Sequence, residues 1–389
     1  MGGHVRGFEQ WLLGRGYTPG SVRNMLKVVG QLGRWMTSVD LDVAGLNARS
    51  IEAFVSSCQE QGARRVPGTR SLAPLLDYLR GECVLVDERP PPTPVEELIG
   101  DYRHWLVADR GLAAPTVLRY ENLARRFLGE RAAHDGDRFV EVLAGDHVVD
   151  FLLRECSRVS VGAAKGRVAE LRSLLRFLYV TGLTATPLAS GVPPVGGWRD
   201  TALPRGIAAT DVERLLDSCD RSDPGGHRDL AILTVVARLG LRSAEVARLE
   251  LGDLDWRAGE IVVRGKARRV DRLPMPHDVG ESLAAYLSEA RPPSAIRSVF
   301  LALKAPMRAI RPDLVSDVTR RACDRAGLPR VGAHRLRHAL ATEMMQRGAT
   351  LVAVSQVLRH RDLATTAIYA KVDLGALRGV AQPWPAVTR

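Results

Sequence analysis

The 42 residues from Arg330 to Lys371 hold seven Lys/Arg against two acids, Glu343 and Asp362, together with the histidines His334, His338 and His360. A solvated basic face is the ordinary explanation of such a run, but the spacing here is more particular. His334 and Arg337 stand at i and i+3 and project from one face of a helix. Upstream, Arg242 follows a helix-ending glycine in Gly240-Leu-Arg242. Downstream, His360 lies in Leu358-Arg-His-Arg-Asp362, and Tyr369 comes nine residues later. Lys266 sits in Arg264-Gly-Lys-Ala-Arg-Arg269, where every other cation is arginine. Such a set can grip an anion through guanidiniums that stay charged at any working pH, move protons through imidazole and ammonium groups, and attack through a phenol oxygen. Glu245, three residues after Arg242, reads as a group that orients a helix or an arginine, and His338 as one that packs a helix.

The chain as a whole suits an anionic partner. Its 55 Lys+Arg against 44 Asp+Glu give a net charge of +11 over 389 residues, with an isoelectric point near 9.9. Nucleic acid is the commonest soluble polyanion. Five of these cations are lysines (Lys27, Lys165, Lys266, Lys304, Lys371) and the rest arginines. Where arginine is the default cation, a lysine inside a charged cluster marks chemistry that needs an ammonium; Lys304 and Lys371 are the rivals of Lys266. At 46% hydrophobic and 25% charged the composition is that of a folded globular protein, which excludes intrinsic disorder. No apolar run approaches the ~20 residues of a bilayer span. The start, Met1-Gly-Gly-His-Val-Arg, lacks the apolar core of a signal peptide. Five widely spaced cysteines argue against a disulfide framework or zinc site and for a reducing cytosol. No carboxylate pair adjoins the basic words and no phosphate-cradling Gly-x-x-x-x-Gly-Lys-Ser/Thr occurs, so neither a metal nor a nucleotide cofactor is expected.

Two proline-rich breaks, Arg89-Pro-Pro-Pro-Thr-Pro94 and Gly191-Val-Pro-Pro194 through Pro204, divide the elements that must position these residues into 1–88, 95–190 and 203–389. The first two pieces resemble each other. Trp11-Leu-Leu-Gly-Arg-Gly16 with Ser21-Val22 matches Trp105-Leu-Val-Ala-Asp-Arg-Gly111 with Thr116-Val117. Ile51-Glu-Ala-Phe54 echoes Val148-Val-Asp-Phe151, and Leu75–Leu79 echoes Leu174–Leu178, the offset drifting from 94 to 99 residues. Apolar spacing such as Val22/Met25/Leu26/Val29 predicts helices in both. The third piece opens with a capping box, Thr210-Asp-Val-Glu213. A buried helix over Leu230–Leu239 follows and stops at Gly240, and a further helix starts at Ser243. Glu260–Arg264 reads as a strand, Gly265-Lys266 as a turn and Arg269–Leu273 as a second strand ended by Pro274. Everything after Val279 reads as helix again, interrupted by Pro292-Pro293 and Gly327-Leu-Pro329. The expected fold class is therefore mainly α: two small helical N-terminal domains and a mostly helical third domain with one small antiparallel sheet.

In order, Gly240-Leu-Arg-Ser-Ala-Glu245, a lysine in a turn, Ala333-His-Arg-Leu-Arg-His338, Leu358-Arg-His360 and Thr365-Thr-Ala-Ile-Tyr369 resemble the words of the tyrosine recombinase (phage integrase) family, the relatives of lambda integrase and Cre. The resemblance covers about 203–375, and 95–190 is similar to the family's core-binding domain. Residues 1–88 depart from its commonest two-domain layout and read as a second helical module, for DNA binding or for protein interaction. The resemblance implies the tyrosine recombinase fold and a site-specific recombinase or integrase that cuts and rejoins DNA through a 3′-phosphotyrosyl intermediate, without metal or ATP. It implies Tyr369 as nucleophile and Arg242 and Arg337 as the phosphate clamp. His334 would be the base and a phosphate donor, His360 a second phosphate donor, and Lys266 the general acid for the leaving 5′ oxygen. The implied partner is double-stranded DNA held in a C-shaped clamp by 95–190 and 203–389. The implied assembly is a homo-tetramer on synapsed sites, with the apolar tail (Val372, Leu374, Leu377, Val380, Trp384) docked on a neighbouring protomer, in the cytoplasm at the nucleoid. The alternatives are a type IB topoisomerase, which shares the chemistry, and a non-catalytic DNA-binding protein.

Overall fold

The computed structural model describes residues 2–60, 68–85, 92–196, 206–265, 269–360 and 363–372. The described part of the first proline-rich break, residues 92–94, leads directly into a helix. Thr93 caps α5 by accepting from the N–H of Glu96, with Pro94 in the first turn, where its missing N–H removes no helical bond. The N-terminal stretch forms α1 (Gly2–Gly14), α2 (Pro19–Ser38), α3 (Ala48–Glu60) and α4 (Thr69–Gly81). Then come α5 (Pro94–Ala108), α6 (Ala114–Asp135), α7 (Gly145–Ser157) and α8 (Val161–Val180). Each set of four has its own apolar cluster, one around Phe8, Leu12, Leu32 and Leu79, the other around Tyr102, Leu106, Phe127 and Leu178.

The two clusters repeat one another in detail. Phe8, Trp11 and Tyr78 form a ring triangle with centroids 6.1, 5.5 and 5.9 Å apart. Tyr102, Trp105 and Phe177 form another with 6.1, 5.2 and 5.7 Å. A guanidinium covers the tryptophan in both, Arg15 over Trp11 and Arg110 over Trp105. The turn after the first helix uses a positive-φ glycine each time, Gly16 and Gly111. By compactness Met1–Val86 and Asp200–Arg389 form one unit and Asp87–Arg199 the other. Rather than standing apart, the first set of helices meets the C-terminal elements at Arg15-Gly16, where the carbonyl of Arg15 accepts from the N–H of Met307 at 2.8 Å.

The remaining elements are α9 (Ala209–Asp217), α10 (Pro224–Leu239), α11 (Ser243–Ala247), β1 (Leu254–Asp255), β2 (Glu260–Arg264), β3 (Val270–Pro274), α12 (His277–Ala285), α13 (Pro312–Ala326), α14 (Ala333–Gln346), α15 (Leu351–Leu358) and α16 (Leu363–Thr366), followed by a 3₁₀ segment, Ala367–Val372. Nearly every side of α10 is buried, so it is the post around which α9, α12, α13 and α14 pack. The strands form an antiparallel sheet in the order β1-β2-β3, with Ile261 opposite both Leu254 and Leu273. Ile261 and Val263 point into the core.

Three local expectations shift. Helix α9 starts at Ala209 after the extended Ala208, so Thr210 lies inside its first turn instead of capping it; Ile207, just outside, packs on the core and sets the start earlier. Strand β3 includes Pro274 instead of ending before it, because an edge strand does not need that N–H. Residues 291–311 are not helical. They carry isolated bridges, Glu250 with Ser298 and Leu301 with Ala309, which bring Val299, Phe300 and Leu301 into burial. The predicted turn at Lys266 and the apolar tail beyond Val372 lie outside the described residues. Among those described, no helix is long and apolar enough to cross a membrane.

Candidate active site

Three helix ends meet at the site. Helix α10 stops at Gly240, which is left-handed (φ 58°) and closely packed: a Cβ there would lie 2.9 Å from Leu358 Cδ2 and 3.1 Å from Leu340 Cδ2, so both leucine methyls would have to shift. Two residues on, Arg242 is the extended N-cap of α11. Its N–H donates to Glu245 Oε2 at 2.8 Å, and its guanidinium donates to Glu245 Oε1 at 2.7 Å and to the carbonyl of Arg359 at 3.3 Å. The Arg242 side chain stays 44% exposed while that of Glu245 is 4% exposed, so one edge of the guanidinium is anchored and another faces outward. Glu245 thus orients an arginine.

Helix α14 supplies the second wall. Arg337 is buried, and its two terminal nitrogens donate to the carbonyls of Gly240 and Leu358, tying the end of α10 to the end of α15. Burial, and then the nearby charges of Arg242 and Arg359, pull its pKa down to about 10, which still leaves it charged at neutral pH. One turn apart on the same helix, His334 and His338 meet edge to face with ring centroids 4.3 Å apart.

Helix α15 ends in Arg359, an arginine in the left-handed region (φ 54°). An L side chain is disfavoured there by ~1–2 kcal/mol, and this one is buried, its Nη2 2.7 Å from Glu245 Oε2. His360 follows; its Nδ1 shares a 2.7 Å hydrogen bond with the hydroxyl of Thr366. Tyr369, on the 3₁₀ segment, is only 2% exposed and packs with Ala341, Met345, Val354 and Leu358. Its hydroxyl lies 2.7 Å from Nδ1 of His338. Burial raises the phenol's pKa, partly offset by Arg337. The phenol is therefore protonated at neutral pH and shares this hydrogen bond with Nδ1 of His338.

Five of the six residues singled out in the sequence, Arg242, His334, Arg337, His360 and Tyr369, are thus brought together; Lys266 lies outside the described residues. The bond to the phenol, expected from His334, comes from His338 instead. A signal for this existed: His338 is four residues from His334 and so shares its helix face. Arg359 had no such signal, being one of seven cations in a basic run.

The histidines are held neutral. Burial first, then the surrounding cations and imidazoles, lower His334 and bring His338 and His360 down to about 4, from the ordinary 6.5. The unfolded chain therefore takes up protons that the folded chain refuses between pH ~6.5 and ~4. Stability present above that window is lost as pH falls through it. Melting temperature followed across this range should drop with acidification, and the His338→Gln/His360→Asn double variant should flatten the drop; an unchanged slope would contradict it.

Comparisons with known proteins agree with this geometry. A profile of the phage integrase family matches residues 205–374. A putative integrase/recombinase of Sinorhizobium fredii, y4rA, is 39% identical over 97% of this chain and 93% of its own length. The tyrosine recombinase XerD of Listeria monocytogenes is 29% identical over 74% of this chain and 97% of its own. Among solved structures, a XerH site-specific recombinase bound to its palindromic difH substrate aligns with TM-score 0.57 at 19% identity, covering 75% of this chain and 97% of that one. A lambda integrase dimer bound to a COC′ core site aligns with TM-score 0.55 at 14% identity, covering 75% and 99%. These two share the fold. With 39% identity to an integrase/recombinase across almost its whole length and a site built from an arginine pair, histidines and a buried tyrosine, the chain belongs to the phage integrase family, the tyrosine recombinases.

Proposed function

We propose that this tyrosine recombinase is a site-specific DNA recombinase that cuts a strand with Tyr369 and rejoins it from a 3′-phosphotyrosyl link. The observation that carries this is the phenol of Tyr369 hydrogen-bonded to a neutral histidine beside two guanidiniums. Arg242, with its outward edge, and Arg337, with three of its five N–H groups beyond the two given to carbonyls, grip the nonbridging oxygens as negative charge grows on them. The phenol oxygen attacks phosphorus, its proton passes to Nδ1 of His338, and the P–O5′ bond breaks. His334 stands beside this pair as a phosphate donor. With Nδ1 of His360 occupied by Thr366, its Nε2 is the other donor to the phosphate.

The departing 5′ oxygen needs a proton. Arginine holds its own too tightly, whereas an ammonium beside other cations releases one, and Lys266 among arginines is the candidate. On a nicked duplex with metal chelated, the wild type should accumulate a covalent adduct whose phosphopeptide maps to Tyr369; an adduct mapped elsewhere would sink the assignment. Lys266→Ala should slow adduct formation by ~10²–10⁴-fold and recover on DNA with a sulfur leaving group, which needs no proton.

Segment 95–190 is the core-binding domain in this scheme. The matching aromatic triangles support residues 1–88 as a second copy of it, contacting DNA outside the core site. Deleting 1–88 should then shorten the DNase footprint; an unchanged footprint would assign those helices to protein contacts. A homo-tetramer on two synapsed sites, with the tail docked on a neighbouring protomer, completes the proposal, and cytoplasmic action at the nucleoid follows from the substrate.

A further inference from the structure

Arg359 combines three features that ordinary packing does not call for together. Its backbone takes a left-handed conformation that favours glycine. Its guanidinium is buried, with a side-chain exposure of 3%. Its Nη2 donates to Glu245, and its Nη1 to the carbonyls of Val357 and Leu239 at 3.1 and 3.5 Å. Glu245 is therefore shared: Oε1 holds the guanidinium of Arg242, and Oε2 holds its backbone N–H and Arg359. The carbonyl of Arg359 closes the loop by accepting from Nη2 of Arg242. A buried carboxylate facing one arginine alone frequently takes that arginine in a two-pronged pair that occupies its donors. With Arg359 compensating the same carboxylate from behind, Arg242 gives one N–H of Nη1 to Glu245 and one of Nη2 to the carbonyl of Arg359, and its remaining N–H groups stay open.

We infer that Arg359 is a positioning residue for the phosphate clamp: through Glu245 and its own carbonyl it holds Arg242 in the orientation that presents its free edge to a nonbridging phosphate oxygen. The assignment rests on Arg242 and Arg337 being that clamp. The left-handed backbone is what lets one residue do this, since it turns the side chain inward toward Glu245 while its N–H still closes the last turn of α15.

Arg359→Gly keeps the backbone comfortable and removes only the side chain. Single-turnover adduct formation should be compared on ordinary nicked DNA and on DNA with a methylphosphonate at the scissile position, which lacks the nonbridging charge. The expected result is a loss of ~10²-fold or more on the phosphate and a much smaller loss on the methylphosphonate. That ratio does not depend on how much of the variant is folded. Equal losses on both substrates would make Arg359 a mere structural part and overturn the inference. Should Arg359→Gly fail to fold, Arg359→Lys keeps the buried charge but loses the fork; it should shift the ratio the same way, and an unchanged ratio overturns the inference again. Arg242→Ala is measured alongside: if it too leaves the ratio unmoved, the clamp assignment has failed, not the role of Arg359 within it.

Discussion

Tyr369→Phe should leave no detectable covalent protein–DNA complex, a fall of ~10⁴–10⁶-fold, because it removes the attacking oxygen and nothing else. The ring fills the same place among Ala341, Met345, Val354 and Leu358. Only the hydrogen bond to His338 is lost, at a cost of ~1–3 kcal/mol if its Nδ1 is left without a partner. DNA affinity should survive intact, since contacts from cationic side chains to phosphates dominate it and the phenol is uncharged and buried. Gel-shift titration at fixed salt beside denaturing gels of a nicked substrate separates the two readouts. Binding that fell with cleavage would mean that Tyr369 organises the DNA surface; cleavage that persisted would mean a different nucleophile.

This neat separation between chemistry and scaffold is also why the site was legible in the sequence. Residue types that chemistry demands, an arginine after a helix-stopping glycine, a histidine and arginine one turn apart, a tyrosine nine residues after a second histidine, keep their order whatever surrounds them. Helices with clean apolar spacing were legible for a related reason: α10 stops at Gly240, where the left-handed backbone favours glycine and two leucine methyls crowd the place of a Cβ. Legibility ended where long-range packing decides. The 291–311 segment is built from single bridges to distant residues such as Glu250, which no local period encodes. His338 found its partner 31 residues away in Tyr369. Arg359 breaks a local rule outright, standing at a helix end in the conformation of a glycine, and its reason is visible only once Glu245, 114 residues earlier, is beside it.

Arg337→Ala should be nearly silent in stability and close to fatal for cleavage, and the magnitudes show why the two come apart. The charged guanidinium is disfavoured in its place: a pKa drawn from the ordinary arginine range down to about 10 corresponds to roughly 3 kcal/mol held against folding. Against this stand its hydrogen bonds to the carbonyls of Gly240 and Leu358. Leaving two buried carbonyls without donors costs ~2–6 kcal/mol. The terms oppose each other, so the melting temperature should move by only a few degrees. Nothing offsets the loss in the reaction. A fixed guanidinium whose desolvation is already met within the fold gains most when negative charge develops beside it, and deleting one such donor costs at least ~10²–10³-fold. Arg337→Lys should recover little, since one ammonium cannot bond both carbonyls and still present a planar pair of donors to the phosphate. Differential scanning calorimetry together with single-turnover cleavage decides the matter. A variant that melts far below the wild type yet cleaves normally per folded molecule would reduce Arg337 to a tie between α10 and α15.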